Sequence, residues 1–197
     1  MTVLGNVLFR SRGDLDSVLR DQLEAIPALV KQEFSRRPNS FNRNECVASV
    51  VKTLELAPLV LDLSLAKTSV TATTFEAQDQ FFGGTSTVHG WELVRTIPFQ
   101  GHQELWDLRP NPYGVNSPSA MVESSGLKVG IRVRDSDVDT GKQYINDTVS
   151  RIQSCIDTQK AQIEAFNSSL VEQVQQEIDG YLSRQNRAAQ ILKDLEG

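Results

Sequence analysis

The chain has 197 residues, of which 39% are hydrophobic, enough for one mixed domain with a sizeable core. A formal net charge of −5 argues against the broad basic face that sequence-independent binding to phosphate backbones needs. No run approaches the ~20 apolar residues of a membrane span and Met1–Phe9 lacks a basic leader, so the expectation is a cytoplasmic protein with no membrane partner.

Asp14 is a good N-cap, and Leu15, Val18, Leu19, Leu23, Ile26, Leu29, Val30 and Phe34 follow a 3.6-residue period. That predicts an amphipathic helix which Pro27 either kinks or restarts, because its ring removes a donor and crowds the preceding turn. Residues 35–44 read as a loop, with Asn42 or Asn44 capping a short helix that carries Val47, Val50, Val51 and Leu54. Cys46 and Cys155 each fall on the apolar side of a helical pattern, where a free thiol serves as a small core residue.

Beyond Pro58 the pattern turns to strands: Leu59–Leu63, then Thr68–Phe75, rich in β-branched residues. In Val88–Phe99, Trp91, Leu93, Ile97 and Phe99 share one face, interrupted by Arg95. Val129, Ile131 and Val133 alternate with Lys128, Gly130, Arg132 and Arg134, as a strand with one wet face does, and residues 123–126 make the turn that joins it to Ser119–Val122. The middle third is therefore a mostly antiparallel sheet. Gly83-Gly84 has neither the spacing nor the following helix of a phosphate cradle.

The remainder is helical from Asp139 or Thr140. Ile145, Val149, Ile152, Ile156, Ile163, Phe166 and Leu170 step by about four and three residues with Gln159 in the same seam, a heptad that slips to four-residue steps at Val174, Ile178 and Leu182. Unbroken, such a helix is roughly 80 Å long against a radius of gyration of about 16 Å for a compact chain of this size, so it projects or folds back. Ser169 with Glu172 fits a capping box at which it could fold back, and Gly180 is a second weak point; a long helix that pairs with another is the preferred reading.

Leu56–Asp62 (LAPLVLD), Ile97–Pro110 (IPFQGHQELWDLRP) and Phe166–Leu170 (FNSSL) ahead of a Gln- and Arg-containing helix make the chain similar, from about Leu15 onward, to the N-terminal module of a group of bacterial proteins. In that group such modules precede a variable effector, a restriction-endonuclease-like nuclease or a Toll/interleukin-receptor-like domain, as is typical of anti-phage defence. The resemblance implies a sensing, scaffolding or oligomerisation role, with an effector domain or protein as partner. It carries over Pro98, Gly101, Arg109 and Pro110 as motif positions with no catalytic role. The group would continue through a linker where this chain stops at Gly197, so the expectation is an excised module or a stand-alone relative.

His102, Glu104 and Asp107 are the right residue types for a metal-dependent hydrolase or nuclease. Three or four converging ligands are needed for a metal, however, and the sequence has no His-x-x-x-His, no paired cysteines and one other histidine, His89. Packing explains the segment better: Pro98 ends a strand, residues 100–102 turn, Leu105, Trp106 and Leu108 face inward from a short helical turn, and Arg109–Pro112 is extended. Arg36, Arg37, Arg43, Lys128, Arg132 and Arg134 supply a third reading, a nucleic-acid-binding adaptor, which is not favoured.

The reading is an α+β fold, with N-terminal helices on a mostly antiparallel sheet over residues 1–138 and a long coiled-coil-like helix for oligomerisation over 139–197. Ile152, Ile156, Ile163, Phe166, Leu170, Val174 and Ile178 are its self-association seam, forming most simply a homodimer. Pro98, Gly101, His102, Trp106, Arg109 and Pro110 form a candidate recognition loop. No catalytic residue, metal or cofactor is assigned.

Overall fold

The computed structural model describes residues 1–36, 41–78, 85–111 and 117–196; Arg37, Gly83-Gly84 and Pro112, singled out above, lie outside them. It is an α+β protein built of helices, an antiparallel sheet and a long C-terminal helix. The described chain divides into two compact units, Met1–Leu15 with Pro58–Ala161, and Asp16–Ala57 with Gln162–Gly197. The N-terminal helices group with the second half of the long helix, and the sheet groups with its first half.

The first unit holds β1 (Thr2–Val3), β2 (Asn6–Val7), β3 (Val60–Leu61), β4 (Lys67–Gln78), β5 (Thr85–Ile97), β6 (Phe99–Gln100), β7 (Ser119–Glu123) and β8 (Gly126–Val133). Six of them form one sheet in the order β2-β7-β8-β5-β4, with β1 beside β8, and every pairing is antiparallel. The β7–β8 hairpin turns where the serine and glycine residues predict it, with Glu123 opposite Gly126. The expected strand at 59–63 shrinks to β3, which among the described residues pairs only with β6, outside the main sheet, because Pro98 cuts Phe99 off from β5.

Leu93, Ile97, Val129, Ile131 and Val133 are buried, as the alternation predicts, and Leu127 is buried with them. The long helix α4 (Val138–Glu196) begins directly against this layer: a Cβ added at Gly141 would meet side-chain atoms of Leu93 and Val133, each at 2.9 Å.

In the second unit α1 (Leu15–Glu24, whose first residue belongs to the first unit) ends ahead of Ala25, and α2 (Ile26–Arg36) restarts with Pro27 in its first turn, where a missing N–H costs nothing. Asn42 caps α3 (Arg43–Leu54), its side chain accepting from the N–H groups of Asn44 and Glu45. The second half of α4 is tied to these helices. Asn167 makes a reciprocal pair with the backbone of Leu56, Arg43 grips Asp179 with two bonds of 2.6 and 2.8 Å, and Phe34 lies between Phe41 and Tyr181. There is no fold-back at residues 167–169: Ser169 bonds to the carbonyl of Phe166 within the turn, which leaves the helix continuous.

Candidate functional site

The segment Pro98–Pro110 is held by packing from below. Gly101 sits at φ +107°, and a Cβ there would come within 2.3 Å of the carbonyl oxygen of Pro58, so only glycine lets the loop lie against β3. Residues Gln103–Asp107 form one 3₁₀ turn that buries Leu105 and Trp106. The indole meets Phe99 edge-on at 5.2 Å between centroids and Phe9 at 5.7 Å. Backbone bonds then clamp the segment to the N-terminal strand region: Phe9 donates to the carbonyl of Trp106 at 2.6 Å, Arg109 to that of Gly13 and Leu15 to that of Arg109, each at 2.9 Å. From α4, Gln159 donates to the carbonyls of Leu105 and Leu108 at 2.9 and 2.7 Å.

The three residues of the hydrolase reading are not brought together as a site. His102 is exposed and its side chain does not cap the turn, while Glu104 (82% exposed) and Asp107 flank the Arg12 guanidinium at 3.9 and 3.7 Å. Ser11 donates to Asp107 as well. Among the described residues no three His, Cys, Asp or Glu side chains are placed to hold a metal ion.

The basic residues of the nucleic-acid reading are divided between the two units and largely neutralised. Arg36 pairs with Glu33 and Arg43 with Asp179 in one unit; Lys128 pairs with Glu123 and Arg132 with Glu92 in the other, with contacts of 2.6–2.8 Å. The bond from Arg43 holds the Asp179 carboxyl below its ordinary range, and that from Lys128 does the same for Glu123. Arg134 is exposed.

The seam on α4 requires a correction. Ile152, Ile156, Ile163, Phe166, Leu170, Val174 and Ile178 are all buried within this one chain, so they are core residues and not a free self-association surface. Periodicity identified the apolar face correctly but not what covers it. The same row continues past Ile178 through Leu182, Gln185, Ala189, Leu192 and Leu195, and there the cover ends: Ile191, Leu192 and Leu195 are 50%, 56% and 80% exposed.

An open cleft of ≈ 540 Å³ is lined by Ala72, Thr73, Thr74, His89, Gly90, Trp91 and Asp135, where the indole N–H of Trp91 donates to the Asp135 carboxylate. No helix among the described residues is long and apolar enough to cross a membrane. Comparison of the chain with family models, with curated proteins and with solved structures finds no match.

Proposed function

We propose that the chain is a non-catalytic scaffolding module of a bacterial anti-phage-type system, which associates with a second copy of itself through the end of α4 while catalysis resides in an effector domain or partner protein. The observation that carries self-association is the continuation of a buried heptad seam onto uncovered turns. An apolar stripe on these uncovered last turns gains most by meeting another helix.

The charges there suit a second copy. Arg187 and Asp194 lie seven residues apart, so antiparallel pairing centred between Gln190 and Ile191 sets each Arg187 beside the Asp194 of the other copy, and Leu192 over Ala189. The sensing role and the effector rest on the sequence resemblance alone.

Light scattering on the chain and on the Leu192→Asp/Leu195→Asp variant tests this reading. The expected result is a mass above the monomer at micromolar concentration that falls in the variant. A wild-type monomer up to high micromolar concentration contradicts it.

A further inference from the structure

Strand β4 is the end of the main sheet: among the described residues it pairs only with β5, through a ladder that runs from Lys67 opposite Thr96 to Gln78 opposite Thr85. Among the described residues its outer edge therefore presents backbone N–H and C=O groups with no strand partner. Exposed edges are normally blunted by short length, proline, a bulge, or a lysine in mid-strand. None of these is present in β4, which is 12 residues long, contains no proline and pairs residue for residue with β5. Its two charges, Lys67 and Glu76, sit near its ends, and between them lie Thr68, Ser69, Val70, Thr71, Ala72, Thr73, Thr74 and Phe75.

Both faces of the strand are largely open. Val70 is 59% exposed although its cross-strand partner Leu93 is buried, and Thr68, Ser69, Thr71, Ala72 and Thr74 are exposed too. Among the side chains of 67–76 only Phe75 is buried. β-branched residues that gain this little from burial are well suited to extending a sheet sideways.

We infer that β4 is a second homotypic contact, at which two copies pair β4 with β4 antiparallel about a two-fold axis to make one continuous sheet. In such a pairing opposite residues share a face, so the axis passes through a residue, and the centre of the open stretch offers Thr71 or Ala72. In either register no like charges stand opposite each other. Lys67 of one copy lies one position along the ladder from the residue opposite Glu76 of the other, so each end of the joined strands carries both signs. Any extended peptide could use the edge, but a second copy supplies a strand of matching length and uncharged middle in a fixed register. This contact is distinct from the one at the end of α4.

The test is cysteine cross-linking of the whole chain. Thr71→Cys and Ala72→Cys are made separately, with Ser124→Cys in the exposed β7–β8 turn as the control, and oxidised at micromolar concentration. The expected result is a disulfide-linked dimer for Thr71→Cys or Ala72→Cys, well above the Ser124→Cys control. Adding Val70→Lys/Thr74→Lys, exposed positions that should leave the fold intact by circular dichroism, should weaken association through β4 by about tenfold or more.

Cross-linking no greater than the control for both cysteines overturns the proposal, as does a chain that binds an added β4 peptide yet never pairs with itself. The two contacts fail separately. If Leu192→Asp/Leu195→Asp abolishes all association and neither edge cysteine cross-links, β4 is not a contact; if that variant still cross-links at β4, the edge contact stands without the helical one.

Discussion

Gln159 donates its side-chain amide to the carbonyl oxygen of Leu105 at 2.9 Å, from a position on α4 where the heptad calls for an apolar residue. The same nitrogen reaches the carbonyl of Leu108 at 2.7 Å, so one buried polar side chain serves two carbonyls of the stretch that carries Trp106. Replacing it by a better seam residue should therefore harm the protein. Gln159→Leu is expected to cost about 1–3 kcal/mol in urea denaturation, because the carbonyls it served lose that donor in the interior. Unchanged or raised stability would show that water or a rearranged loop supplies the missing donor.

The 98–110 segment is read as packing, and the order of two mutants tests that. Trp106, sealed between Phe9 and Phe99, should lose about 3–5 kcal/mol as Trp106→Ala. His102→Ala, at an exposed position, should be nearly neutral in the same thermal melts. The reverse order would restore a chemical role to the histidine.

Two glycines should respond with opposite signs. Gly101→Ala puts a methyl group against the Pro58 carbonyl and forces a left-handed backbone on alanine, and should destabilise by more than about 1 kcal/mol. Gly180 lies inside α4, where an added Cβ would meet only the flexible end of Arg184 at 3.3 Å, so Gly180→Ala should stabilise by about 0.5–1 kcal/mol. A lower melting temperature for Gly180→Ala would mean that the helix needs a flexible point there.

Burial pushes the Cys46 thiol above its ordinary value of 9.0, reinforced by the nearby negative charge of Glu33. A raised folded-state value means that the native chain holds its proton more tightly than the unfolded chain. This contribution is complete below about pH 9 and is lost as pH rises beyond it. Wild type should lose stability between pH 8 and pH 10 more steeply than Cys46→Ala, and the native thiol should react with a disulfide reagent only as fast as the chain opens. Equal pH slopes, or immediate labelling at neutral pH, would contradict this.

Much of the fold was legible in the sequence because local chemistry determines it. Pro27 restarts the helix, Asn42 caps α3, the 123–126 turn joins two alternating strands, and the apolar row on α4 is buried where its period says. What was not legible depends on distant partners. A two-residue strand such as β1 or β2 has no period, so its place in the sheet is decided by the strand beside it. The heptad shows that Ile163 needs cover but not that this chain provides it. The heptad gives no reason for Gln159 in the seam, because its acceptors lie more than 50 residues away. The open edge of β4 is a property of the sheet order, which its own residues do not encode.

The apolar row of α4 is intrachain core up to Ile178, and we propose that it is an association surface beyond it. Amide hydrogen exchange at low and high micromolar concentration tests this residue by residue. Residues 182–196 are expected to gain protection as concentration rises, while protection of residues 145–178 is already high at the lowest concentration and does not change. Protection that rises with concentration across 145–178, or no change at 182–196, would contradict it.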